Sequence, residues 1–325
     1  MRAHAIRIHK TGGPEVLAWE EVDVGEPGPG QVLLRQTAIG LNYIDTYHRS
    51  GLYAVTLPSG LGVEGAGVIE KLGPGVSDLK IGDRVAYSSG ALGAYAERRL
   101  QAADRLVTIP AGISDQQAAA MMLQGMTVEY LIRRTFAVKA GMTVLLHAAA
   151  GGVGLIASQW LKHLGATVIG TAGSPEKLAL AKANGCAHVI DYGKEDVAKR
   201  VRELTGGKGV PVVYDGVGKD TFQASLDSLA MRGMFVSFGN ASGPVPAFEP
   251  IILSAKGSLF FTRPTLFHYT ATREELVESA KALFDVVGKG AVKIAVNQTY
   301  PLKDAAQAHR DLQARKTTGS TVLLP

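Results

Sequence analysis

The sequence predicts an α/β chain of two domains, one β-rich and one built on a doubly wound parallel sheet. Three observations carry this. The first 125 residues are short alternating or apolar runs cut by Gly/Pro clusters. From about Thr143, strand and helix patterns alternate strictly. After about Arg263 that alternation stops, and what remains is too short for a third domain. The final segment is expected to pack back on the first domain. The division is then residues 1–125 with 264–325, and 126–263 as an insertion.

In the first part, "HAIRIHK", "QVLLRQTAIGL", "GAGVIEKLG" and "DRVAYS" have strand patterns, separated by turn clusters such as "GEPGPGQ". A barrel-like or sandwich-like core follows. "SDQQAAAMMLQGMTVEYLIRRT" predicts one helical stretch capped by Ser114. The strands of the second part are "TVLLHAA", "TVIGTAG", "HVIDY", "VPVVYDGV", "GMFVSFGN" and "GSLFFT". The helices between them end at Gly-containing stops such as Asn184-Gly185 and Gly206-Gly207. "TREELVESAKALFDVVGKG" predicts a helix opening at Thr272 with an acidic first turn.

Composition narrows the function classes. There are 325 residues, and only one is a cysteine, Cys186, so neither an internal disulfide nor a cysteine-rich zinc lobe can form. No run of 18 apolar residues exists and the N-terminus has no long apolar segment, so a cytoplasmic protein is expected. The net charge of +5 is scattered, which fits a phosphorylated small ligand as well as a solvated surface. No basic stripe with interleaved aromatics is present, so nucleic-acid binding is a minor alternative.

"VLLHAAAGGVG" is a strand, a tight turn and a helix start, with Ala149, Gly151 and Gly154 in the three fingerprint positions. Gly151 and Gly152 admit a pyrophosphate, and the helix beginning near Val153 offers it free N–H groups. A tight turn without ligand is the plainer alternative. Where an NAD site carries an acid, this chain has Ala172, Gly173 and Ser174, with Lys177 one turn on. A hydroxyl, an exposed amide and an ammonium group accept a 2′-phosphate, so NADPH is expected over NADH. Tyr192 is expected to join that pocket. Ser174 as a mere helix cap and Lys177 as a solvated charge remain open. Phe238, Gly239 and Asn240 end a strand at the carboxyl edge of the sheet, where such sheets bind ligands, and Gly216 belongs to the same expected cofactor set.

Several longer motifs go together. "GGPEVL", "GLNYIDTYHRSGLY", "LPSGLGVEGAGVI", "HAAAGGVGLIASQ" and "VSFGNASG" resemble the zinc-free quinone oxidoreductase branch (the ζ-crystallin type) of the medium-chain dehydrogenase/reductase superfamily. The likeness spans essentially the whole chain. It implies a GroES-like catalytic domain and a Rossmann domain, and metal-free hydride transfer from NADPH to a quinone. The zinc enzymes of the superfamily carry Cys and His where this chain has Asn42 and Val63, beside Glu64, so no metal site is expected.

The resemblance also implies roles. Asn42, Tyr47 and Tyr53 are candidates to hold the acceptor oxygen, and Thr127 lies where the family places the nicotinamide. Asn42, Asp45, Tyr130, Arg263 and Arg315 join the expected cofactor contacts. For Asp45 a helix cap is favoured, and the two tyrosines have amphipathic core positions as an alternative. His48 and Arg49 are expected at the surface, His147 in the core, and Cys186 as a small buried hydrophobe. Family members commonly dimerise through sheet edges, which makes Gly257–Thr262 the candidate edge. An enone or alkenal reductase is the close alternative in activity. An NADPH-binding protein with a structural or RNA-binding role is the remote one.

Overall fold

A computed structural model describes residues 1–88 and 91–325. The chain forms two compact units. The first comprises Met1–Gln124, Thr270–Phe284 and Ile294–Pro325, and the second Gly125–Tyr269 and Asp285–Lys293.

In chain order the strands are β1 (Arg2–Ile8), β2 (Ala18–Asp23), β3 (Gln31–Leu41), β4 (Ser59–Gly60), β5 (Gly65–Leu72), β6 (Arg84–Tyr87), β7 (Arg98–Ala102) and β8 (Val107–Thr108). The parallel series follows: β9 (Thr143–Leu146), β10 (Thr167–Ala172), β11 (His188–Asp191), β12 (Val210–Asp215), β13 (Leu229–Ser237) and β14 (Phe260–Thr262). The chain then adds β15 (Val296–Pro301) and β16 (Ser320–Leu324).

The first unit holds two sheets. One has three strands in the order β2-β1-β4, and the other runs β15-β16-β3-β5-β6-β8 with β7 also on β3. Strand β3 is the hub, and its near-continuous apolar sequence matches its near-continuous burial. Ile6, Leu34, Ile39, Ile69, Val85, Tyr87 and Leu323 pack in one core. Strand β2 (AWEEVD) alternates strictly between half-buried and exposed residues at a sheet edge, and its glutamates hide it from a reading based on apolar runs.

The second unit is one parallel sheet in the order β11-β10-β9-β12-β13-β14. The order reverses beside β9, the switch point at which open α/β sheets bind ligands. Leu145, Ile169, Ile190, Val213 and Phe235 form its core. Strand β14 is an edge, and Phe260 on it is 57% exposed.

The single helix expected from Ser114 to Thr135 is instead broken. Asp115–Ala119 is a short helix with Ser114 as its cap. A new helix runs Met122–Tyr130, and Leu131–Thr135 is a π-helix. Side chains explain the break. The Ala120 carbonyl lies 2.9 Å from the Ser320 hydroxyl, and the Leu123 N–H donates to Glu64 Oε1 at 2.7 Å. Partners remote in sequence take over backbone groups that a continuous helix would pair internally.

Candidate functional site

The glycine turn sits at the carboxyl end of β9. The helix Gly152–His163 starts at Gly151 with no side-chain cap, so its first N–H groups are available to an anion. A Cβ on Gly154 would stand 2.3 Å from the Ala148 carbonyl oxygen, so only glycine lets helix and strand approach there. The strain in the turn falls on Ala148, which adopts φ 53°.

At the end of β10, Gly173 lies against Tyr192: a Cβ there would meet the phenol oxygen at 2.3 Å. Ser174 caps the next helix by accepting from the Lys177 N–H at 3.3 Å. The structure thus brings Gly173, Ser174, Lys177 and Tyr192 together. It adds Glu176, whose carboxyl is held below its usual pKa by local hydrogen bonds, including one from Ser174.

Gly216 and Gly239 also come together. A Cβ on Gly216 would stand 2.9 Å from the Phe238 ring, and one on Gly239 would stand 2.4 Å from the Gly216 carbonyl oxygen. Arg263 donates to the Ser237 carbonyl at 3.1 Å. With the Asn240 carboxamide nitrogen on the Gly239 carbonyl, its oxygen accepts from Arg263 at 3.3 Å. Tyr130 stacks on Tyr269 with centroids 4.4 Å apart, and Thr127 is half-buried one turn earlier.

Behind the strand ends lies a network centred on Asp215. Its two oxygens accept from the Val217 and Gly218 N–H groups and from the Thr221 and Ser225 hydroxyls. Ser225 spends its proton on Asp215, so it accepts from His147 Nε2–H at 3.1 Å. His147 Nδ1 therefore accepts from Thr171 at 3.0 Å. His147 is a core histidine with both ring nitrogens engaged, and burial lowers its pKa.

In the first unit, Asn42 caps the helix Tyr43–Ser50 within a capping box completed by Asp45. Tyr47 is buried, and its ring meets Tyr53 edge-on at 5.3 Å. His48 is half-buried. Arg49 does not lie at the surface as expected but is 2% exposed. It donates to the Gly12 carbonyl, the Gln313 carboxamide and His309 Nδ1. Since guanidinium only donates, His309 carries its proton on Nε2. That proton goes to the Tyr95 hydroxyl at 3.0 Å, and Tyr95 donates to Asp45 Oδ2 at 2.9 Å. Burial, with the Arg49 charge, lowers His309 to about 3. Burial raises Asp45 to about 7, against donors from the Asn42 N–H and Tyr95.

Asn42 also contacts Glu64 Oε2 at 2.6 Å and the Gln124 carboxamide at 3.1 Å. Burial raises Glu64 to about 8, outweighing its donors. Arg315 is exposed, with φ 58°, just past the helix Ala305–Gln313.

Sequence reasoning passed over Tyr95, His309 and the partners of Glu64. The one available signal was a lone acid in the apolar run "GLGVEGAGVI". Among the described residues no three of His, Cys, Asp and Glu are grouped as metal ligands would be. No helix among them is long and apolar enough to cross a membrane.

A model of the alcohol dehydrogenase GroES-like domain matches residues 28–134, and one of a zinc-binding dehydrogenase domain matches 152–285. The chain is 56% identical over 324 residues to a quinone oxidoreductase of Pseudomonas aeruginosa, covering 99% of this chain and 100% of that one. It is 50% identical over 327 residues to a 2-haloacrylate reductase of a Burkholderia species, covering 98% of each. The crystal structure of Escherichia coli quinone oxidoreductase complexed with NADPH matches with a TM-score of 0.98 at 51% identity, covering 99% of this chain and 100% of that one.

Proposed function

The chain belongs to the quinone oxidoreductase branch of the medium-chain dehydrogenase/reductase superfamily, and on that premise we infer that it is an NADPH-dependent quinone reductase. The observation that carries the cofactor is the end of β10, where Gly173, Ser174, Lys177 and Tyr192 gather and Ala172–Ser174 hold no carboxylate. That chemistry suits a 2′-phosphate. The Escherichia coli relative is described in complex with NADPH.

Bound NADPH supplies a hydride, and reduction of a quinone to a hydroquinone takes up one proton besides. The chain's residues bind and orient. Gly151, Gly152 and Val153 offer amides to the pyrophosphate. Gly216, Phe238, Gly239, Asn240, Arg263, Tyr130 and Arg315 make further cofactor contacts. Asn42, Tyr47, Tyr53 and Thr127 hold the acceptor oxygen by hydrogen bonds as charge develops on it. Asp45 keeps Asn42 at the helix start. No metal is needed in this scheme, because an electron-poor acceptor carbon takes hydride directly. Functionally the chain divides into a catalytic part, 1–125 with 264–325, and a cofactor part, 126–263.

A panel of quinones and enones in steady-state assays of NADPH oxidation tests this. Quinone turnover with NADPH preferred over NADH is expected, and absence of quinone turnover overturns the assignment. The 2-haloacrylate reductase relative favours an activated-alkene reductase as the second reading; turnover of alkenes alone would select it.

The working unit in this reading is a cytoplasmic homodimer. Phe260 on edge strand β14, Met231 and Ile251 are 57%, 76% and 72% exposed, which supports an apolar contact at that edge. Light scattering should give a dimer for the wild type and a monomer for Phe260→Asp.

A further inference from the structure

Four buried polar side chains of the first unit stand in a row: Glu64, Asn42, Gln124 and Ser320. Glu64 Oε2 contacts the Asn42 carboxamide at 2.6 Å, and Asn42 contacts the Gln124 carboxamide at 3.1 Å. Gln124 contacts Ser320 Oγ at 2.7 Å, and Ser320 Oγ lies 2.9 Å from the Ala120 carbonyl oxygen. At the other end, the Leu123 N–H donates to Glu64 Oε1 at 2.7 Å.

A carboxamide turned end for end keeps its contacts and reverses their direction, so such a row can run either way. The Ala120 carbonyl decides the direction, because it can only accept. Ser320 has one proton and gives it to that carbonyl; otherwise two oxygens would face each other at 2.9 Å with no hydrogen between them. Ser320 must then accept from the Gln124 amide nitrogen. The Gln124 oxygen in turn accepts from the Asn42 nitrogen. That leaves the Asn42 oxygen against Glu64 Oε2 at 2.6 Å, a contact that requires a proton on the carboxyl. The distance agrees, being ordinary for O–H···O and short for N–H···O. Leu123 holds Oε1 as an acceptor, so the proton belongs on Oε2.

We propose that Glu64 is a neutral carboxylic acid that donates to Asn42 and acts as its positioning residue. It locks the carboxamide in one orientation and leaves one Asn42 N–H outside the row. It also keeps a negative charge away from an acceptor oxygen on which negative charge develops. This role rests on the reading of Asn42 as a donor to that oxygen; the protonation itself does not. Burial favours the neutral acid, and Asp45 acts in the same direction. Tyr87 and Tyr95 are the other titratable groups that bear on it, with Arg99 beyond Tyr87.

Infrared spectroscopy of the full chain in D2O reads the proton directly. At neutral pH the wild type should show a protonated-carboxyl band that Glu64→Gln lacks, and that band should fade as pH rises through about 8. Asp45→Asn, recorded alongside, separates the second buried carboxyl. In kinetics, Glu64→Gln mimics the neutral acid and should keep kcat within about twofold, with no change of rate near pH 8. Glu64→Asp, one methylene shorter, should lose about tenfold in kcat with little change in the KM for NADPH. Only ionised carboxyl at Glu64 near pH 7, or a kcat loss in Glu64→Gln equal to that in Glu64→Asp, overturns the proposal. The wild-type titration needs no variant to fold. If the wild type reduces no quinone, the functional assignment fails while the infrared result still decides the state of Glu64.

Discussion

Asp45 and Asp215 are both fully buried, one in each unit, and they are held in opposite ways. Asp215 receives four donors, two on each oxygen, at 2.7–3.0 Å. Asp45 receives two on Oδ2, and its Oδ1 has no partner among the described residues. The first carboxylate is saturated and staples the turn after β12. The second keeps an idle oxygen and a pKa pushed up to about 7. Burial alone therefore does not mark a reactive acid. The count of donors separates a fastener from a group with capacity left for a ligand.

The largest effect should come from the saturated acid. Asp215→Ala leaves two N–H groups and two hydroxyls without their acceptor, and should destabilise the second unit by about 3–5 kcal/mol in urea unfolding. A loss under about 1 kcal/mol would erase the contrast.

The first unit should instead respond to pH. Asp45 and Glu64 have folded values of about 7 and 8, above the ordinary 3.8 and 4.5. Both bind protons more tightly when folded, so their contribution is whole below about pH 4 and is lost as pH rises toward 8. His309 works from the other side: lowered from 6.5 to about 3, it withdraws stability as pH falls below 6.5. Denaturation curves should show the wild type about 1–3 kcal/mol less stable at pH 8.5 than at pH 6.5. Asp45→Asn with Glu64→Gln should flatten that limb and leave the acid limb in place.

Next in size, Tyr95→Phe removes the hydroxyl linking His309 to Asp45, and should lower stability by about 1–2 kcal/mol. It should also raise the pH at which Asp45 titrates. The smallest effect on stability, none measurable, is expected for Lys177→Ala, which should raise the KM for NADPH by roughly three- to tenfold and leave that for NADH unchanged. Equal changes for both cofactors would remove Lys177 from the phosphate pocket.

What was legible in the sequence follows the range of each interaction. The parallel sheet was legible because its strands are apolar runs spaced by helices, a local pattern. The glycine turn was legible because close approach restricts residue type at fixed spacing. Arg49 was misread because its donors go to Gly12, His309 and Gln313, which no local pattern connects. The helix break at Ala120 was invisible for the same reason, since Glu64 and Ser320 cause it from far along the chain. Ala148 in a left-handed conformation also gave no hint, because alanine there violates local preference and is held by its surroundings. At the candidate site, the residues on the βα turns were findable, whereas the buried rows behind Asn42 and Asp45 were not.

The π-helix Leu131–Thr135 sets a rule for how this chain can vary in length. A π turn is an α-helix carrying one extra residue. Deleting one residue there would restore regular winding and rotate everything on one side of the deletion by about 100° relative to the other. Tyr130, immediately before it, would turn its ring off Tyr269, and Thr127 would swing with it. Conservative exchanges within these five positions are cheap by comparison. Length, more than composition, is the property that natural variation cannot easily change at this point of the chain.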